Sequence, residues 1–205
     1  MRILRILLAN FIVVILCQTG YSQFNLVPNG SFENYTWCPS GIGNLNLVSD
    51  WDIPNMSSPD YFNSCAVGTW VFVPQNRFGY QFAKTGQAYA GLVTSQHAGN
   101  PQINSYREYV QCQLTQPLNA GVDYFFRAFV SGGDSSQYTS NDFGVYFSNS
   151  HIQYSCPTVI PCTLPFTPQI ENPSSNSLFD RINWVEINGN YIASGGGRIH
   201  NYREF

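Results

Sequence analysis

Tyr124-Phe125-Phe126-Arg127-Ala128-Phe129-Val130 decides the fold. β-formers run through it, and it has a period of two. Tyr124, Phe126, Ala128 and Val130 fall on one face, and Phe125, Arg127 and Phe129 on the other. That pattern is a strand with one face turned to a core. The same signal recurs outward along the chain. Phe143, Val145 and Phe147 alternate with Asp142, Gly144 and Tyr146. Ala88 to Val93 and Tyr106 to Leu114 read as two more strands. Trp184-Val185-Glu186-Ile187 and Tyr191-Ile192-Ala193 flank Asn188-Gly189-Asn190, which predicts a hairpin turn. No window has helical periodicity. The expected fold is therefore all-β, an antiparallel sandwich.

Composition agrees. Charged residues are 10% of the chain and aromatics 16%, with 17 Gly and 12 Pro, a balance suited to an extracellular β-sandwich. The net charge of −3 and the lack of a basic stripe argue against nucleic acid as a partner. Long connections separate the strands: 37–77, 131–141, and 148–176 with its five prolines. Loops of this length are usually functional or pinned by disulfides.

The first residues predict export. Arg2 and Arg5 precede an apolar run from Ile6 to Leu16, and Gly20-Tyr21-Ser22-Gln23 offers a cleavage site after Ser22. The run is shorter than the roughly 20 residues of a membrane span, and no later segment could span a bilayer. Residues 1–22 are thus expected to be a signal peptide, with the protein extracellular, on the cell surface or on the periplasm-facing outer membrane. Five cysteines follow. Cys156 and Cys162 bracket a Pro-rich loop, Cys38 and Cys65 lie in turn-rich sequence, and these are the expected disulfides. Cys112 sits in a strand-like run as a small buried hydrophobe. No C-x-x-C or His spacing suits zinc.

Several segments together resemble a known family. Asn25-Leu26-Val27-Pro28-Asn29-Gly30-Ser31-Phe32-Glu33 is similar to the N-G-x-F-E opening of galactose-binding-like jelly-roll modules, among them many carbohydrate-binding modules. Pro59-Asp60-Tyr61-Phe62-Asn63-Ser64-Cys65, Gly79-Tyr80-Gln81-Phe82-Ala83, Gly86-Gln87-Ala88-Tyr89-Ala90-Gly91 and Tyr106-Arg107-Glu108-Tyr109 carry a closer likeness. They resemble an uncharacterised module at the front of secreted and outer-membrane proteins of gliding-type Gram-negative bacteria. There it often precedes an outer-membrane-protein-A-like domain or a type IX sorting domain. The resemblance implies a jelly roll over residues 23–197.

It also implies a departure at the end. The family continues into a strand of the type Glu-Tyr-Ile-Thr-Ile-Gly-Asn-Phe, whereas this chain reads Arg198-Ile199-His200-Asn201-Tyr202-Arg203-Glu204-Phe205. One permitted codon set for that tail, read one base later, encodes Glu-Tyr-Ile-Thr-Ile-Gly-Asn. The expectation is that 198–205 is an aberrant, frameshifted tail and that the sandwich lacks its last one or two strands. The competing reading is an ordinary polar tail, and the nucleotide sequence distinguishes the two.

In the modules with this opening, a carboxylate at the position of Glu33 binds structural calcium. The resemblance thus implies Glu33, Asn29 and Gly30 as calcium ligands. The alternative is a plain Asn29-Gly30 turn with Glu33 solvated or hydrogen-bonded to it. For a small ligand, Trp37, Trp51, Tyr61, Trp70, Tyr80 and Tyr106 offer flat apolar faces, and Asp60, Gln81 and Arg107 offer directional hydrogen bonds. The expected ligand residues are Asp60, Tyr61, Tyr80, Gln81, Tyr106 and Arg107. Against this stands the commoner fate of aromatic rings, which is to fill core.

No G-x-S-x-G or H-E-x-x-H is present, and His97, His151 and His200 are isolated. The expected function is a non-catalytic binding module, with glycan as the first ligand class. The alternatives are an envelope spacer or adhesion module that meets envelope components, and a hydrolase drawing on Asp60, Glu108, Asp142 or Glu171.

Overall fold

The computed structural model describes residues 24–94, 106–136, 140–157, 162–195 and 199–204; the expected signal peptide lies outside them. The chain is an antiparallel β-sandwich. Its strands are β1 (Trp51–Asp52), β2 (Asp60–Asn63), β3 (Gln75–Asn76), β4 (Gly79–Tyr80), β5 (Ala88–Gly91), β6 (Val110–Gln113), β7 (Asp123–Val130), β8 (Phe143–Ser148), β9 (Ile170–Glu171), β10 (Val185–Ile192) and β11 (Ile199–Glu204). A five-stranded sheet runs in the order β1-β6-β11-β8-β9. Three two-stranded pairs complete the fold: β10-β7, β2-β5 and β3-β4.

Two clusters of buried side chains join these pieces. Trp51, Val110 and Cys112 from the large sheet meet Tyr61 and Ala88 from β2-β5, with Leu45 and Val48 from the intervening 3-10 turn and its end. Val145 and Ile170 meet Phe126 of β7, with Phe147 and Tyr191 stacked at 4.7 Å beside them. The period of two read from Tyr124–Val130 is what makes the second cluster. Phe126 is buried while Phe125 and Arg127 are exposed.

Three expectations change. First, Asn188-Gly189-Asn190 is not a hairpin turn. The strand runs straight through it, paired with β7 from Val185↔Val130 to Ile192↔Asp123. A two-residue hairpin of the Asn-Gly kind needs positive φ at its central residues, and neither Asn188 nor Gly189 has it. Gly189 is there for space. A Cβ would stand 2.6 Å from Ile170 Cγ2.

Second, the run 37–77 is not one open connection. It holds a 3-10 turn and three short strands.

Third, residues 199–204 are not outside the module. They form β11, paired with β6 on one side and with β8 on the other. β6 and β8 face each other across one strand's width, and an extended hexapeptide pairs both rows of backbone groups at once. Residues 199–204 are thus part of the large sheet, which reaches past residue 197.

Both expected disulfides are present, Cys38–Cys65 and Cys156–Cys162, each with Cα atoms 5.6 Å apart. Cys112 is buried and takes part in neither disulfide. No helix among the described residues is long and apolar enough to cross a membrane.

Gly189→Ala is expected to lower unfolding free energy by about 1–3 kcal/mol, because the added methyl overpacks Ile170. Urea titration measures it. An unchanged midpoint would show that the contact with Ile170 does not constrain the strand.

Candidate functional site

Alternation along β2 builds the site. Tyr61 and Asn63 point into the sandwich, while Asp60 and Phe62 line an open cleft of about 610 Å³ on the other side. Across from them the cleft is closed by the β3-β4 hairpin, by the end of β7 with the loop after it, and by Trp184. Small residues keep the floor low. At Gly91, a side chain would overlap the Phe62 ring. Phe62 in turn stacks on Tyr89 at 5.0 Å and meets Phe78 edge-on at 6.0 Å.

Hydrogen bonds hold the walls to one another. Asn76 Nδ2 donates to the Tyr89 hydroxyl (2.7 Å), and Tyr80 N donates to Asp134 Oδ2 (2.8 Å). Gly79, at φ 143°, has no space for a side chain because the Asp134 carboxylate occupies it. Trp184 Nε1 donates to the Phe82 carbonyl (2.8 Å), and the indole meets Tyr89 edge-on at 5.6 Å. The indole is thereby fixed at the cleft wall and partly open to solvent.

The chemistry centres on Asp60. It is 7% exposed, and its Oδ1 accepts from Gly43 N at 2.6 Å. Burial, reinforced by the nearby Glu108 charge, pushes its pKa up to about 6, although the Gly43 bond opposes this. Glu108 is also buried. Its Oε2 accepts from Val93 N (2.7 Å), and its Oε1 from the Tyr106 hydroxyl (2.8 Å) and from Ser58. Burial raises its pKa as well.

Of the six residues expected to bind ligand, Asp60, Tyr80 and Gln81 line the cleft. Tyr80 is half exposed, with Phe82 edge-on to it at 5.4 Å. Tyr61, Tyr106 and Arg107 are not among the lining residues. Tyr61 is fully buried; its hydroxyl donates to the Phe32 carbonyl (2.9 Å), and burial raises its pKa to about 12. The reason is the pleat. Neighbours in a strand face opposite ways, so Asp60 in the cleft puts Tyr61 in the core. Tyr106 is turned to Glu108, and Arg107 Nη1 donates to the Tyr106 carbonyl at 2.8 Å. Trp51 is core, whereas Trp37 and Trp70 are exposed away from the cleft. Sequence reasoning missed Trp184, Phe129 and Asn76 as wall residues. Asp142, expected as a candidate hydrolase acid, also lines the cleft, whereas Glu108 is not among the lining residues.

The oxygens assigned to calcium face hydrogen-bond donors. Glu33 Oε1 accepts from Gln87 N (2.8 Å) and Ala88 N (3.0 Å). Asn29 Oδ1 accepts from Asn34 N, and the Asn29 carbonyl from Trp51 Nε1 and Phe32 N. Asn29 and Gly30 sit in the turn itself. Calcium takes several hard oxygens, and in this turn Glu33 Oε1, Asn29 Oδ1 and the Asn29 carbonyl are each engaged by N–H donors. Among the described residues no group of three His, Cys, Asp or Glu could hold a metal. His151 pairs with Asp52 at 2.6 Å, outside the cleft. Scans against protein-family models, curated proteins and solved structures find no match to this chain.

A carboxyl whose pKa is higher folded than unfolded holds its proton more tightly when folded. Asp60 therefore contributes its full stability below about pH 3.8, and that contribution is lost as pH rises through 6. Glu108 acts in the same direction. Asp60→Asn is expected to remove the Asp60 part of this slope, on the order of 3 kcal/mol between pH 4 and 7. It should leave the protein at least as stable as the parent at pH 7. Urea midpoints across that range measure it, and a slope unchanged in the variant would show that Asp60 ionises as an ordinary surface acid.

Proposed function

We propose that this chain is a non-catalytic binding module, exported to the cell surface or beyond, whose cleft takes a glycan. The observation that carries this reading is the cleft itself. It is open, and it sets Tyr80, Phe129 and Trp184 around a buried carboxylate and the Asn76 amide. Flat apolar faces with a few convergent polar groups are the pattern of a small-molecule site. Sugar rings suit it, because their C–H faces lie on aromatic rings while their hydroxyls need acceptors. A spacer without a ligand would have its rings buried. The two disulfides favour an oxidising compartment. The likeness to galactose-binding-like jelly-roll modules points to the same function.

A second reading is a glycoside hydrolase. It rests on Asp60 and Asp142 lining one cleft, the first with a raised pKa. Glu108 is less suited, since both its oxygens are engaged, and Glu171 lies on β9, outside the cleft.

Screening on a glycan array, then calorimetry with the best hit, tests both readings. Trp184→Ala and Tyr80→Ala are each expected to weaken binding about tenfold or more. Trp37→Ala, which alters an exposed ring outside the cleft, is expected to leave binding unchanged. A folded protein that binds no glycan would overturn the proposal, and release of reducing ends from the bound glycan would favour the hydrolase.

A further inference from the structure

We infer that the glycan taken by this cleft carries a free amino group, seated as an ammonium against the carboxylate of Asp60. The inference rests on the glycan reading and adds the ligand's charge. Three acids line the cleft, Asp60, Asp134 and Asp142, and no Lys, Arg or His among the described residues does. Two cations stand beside lining residues and are engaged there: the Lys84 ammonium lies 4.3 Å over the Phe129 ring, and Arg181 donates to the Asp134 and Ser136 carbonyls.

An acidic lining alone would say little. Asp60 adds a second observation. It is more than nine-tenths buried, and among the described residues the hydrogen bond it accepts is the one from Gly43 N to its Oδ1. No donor among the described residues reaches Oδ2, although the residue lines the cleft. Close by, Glu108 is buried too, and its partners among the described residues are neutral: Val93 N, Ser58 and the Tyr106 hydroxyl. The described residues contain one ion pair, His151 with Asp52, and it is elsewhere. Two buried carboxyls thus share a region in which no described residue forms an ion pair with either of them. Such charge is costly unless paired.

A sugar hydroxyl would satisfy Oδ2 but leave the charge. An ammonium satisfies both, with three donors on one point charge. Trp184 and Tyr80 add faces that attract a cation. By the same field, uronic or sialic acids are disfavoured.

Calorimetry on the full chain at pH 6.5 in low salt compares three oligosaccharides of equal length: β-1,4-glucosamine, its fully N-acetylated form and oligogalacturonate. The amine-bearing oligomer is expected to bind about tenfold tighter than the N-acetylated one, with that preference shrinking in 0.5 M salt. Oligogalacturonate is expected to bind weakest. In Asp60→Asn, which keeps an acceptor for Gly43 N, the two chitin-type oligomers should bind alike. Equal binding by the parent protein, or a preference that survives Asp60→Asn, would overturn the inference and leave the glycan reading intact. Tighter binding of an oligolysine than of the glucosamine oligomer would overturn it in favour of a basic peptide. Failure of every oligosaccharide here, joined to a blank array, would remove both proposals.

Discussion

Everything near the cleft depends on β2 being buried on both faces. All four of its residues are shielded from solvent, two toward the sandwich core and two toward the cleft. On the core side, Asn63 Nδ2 donates to the Tyr61 hydroxyl, and that hydroxyl donates to the Phe32 carbonyl. Asn63 Oδ1 also takes the backbone N–H of Cys65, whose disulfide to Cys38 closes the preceding 27 residues. A link of that span contributes about 3–4 kcal/mol by loop-closure entropy. Glu33 adds the other tie, holding the start of β5 through two backbone N–H groups. The long N-terminal connection is thereby fastened to β2 and β5. This fastening places Gly43 N against Asp60 and fixes where the carboxylate points.

The strong strands were legible because their pattern is local. In β7 the period of two separates buried Phe126 from exposed Phe125 and Arg127 with no need of tertiary information. The disulfides were legible because Cys156 and Cys162 bracket a short Pro-rich loop and Cys38 and Cys65 lie in turn-rich sequence. The Asn188-Gly189-Asn190 segment was not, since its local signal is that of a turn. What overrides it is Ile170, distant in sequence, which needs a residue without a side chain opposite it. β11 fails for a similar reason. Nothing in six mixed residues announces a strand, and only the facing edges of β6 and β8 make one.

The site divides the same way. Asp60, Tyr80 and Gln81 were nominated from residue type and loop context, and they meet in space. Tyr61 is excluded by strand alternation, which forbids adjacent Asp60 and Tyr61 from facing one cleft, a signal the sequence itself carries. Trp184 and Phe129 lay beyond reach. They come from β7 and the approach to β10, and no local pattern ties them to Asp60.

Asp60 itself is hard to explain as a structural residue. The hydrogen bond it accepts among the described residues, from Gly43 N, would be made equally by the amide of an asparagine. A carboxylate at this depth beside Glu108 instead carries a desolvation cost and a repulsion, and both appear in its pKa of about 6. A buried, strongly perturbed acid at a cleft is where functional groups concentrate. The fold gains nothing from the charge that neutral chemistry would not supply. The side of β2 on which a charge could be used is the one where Asp60 lines the cleft.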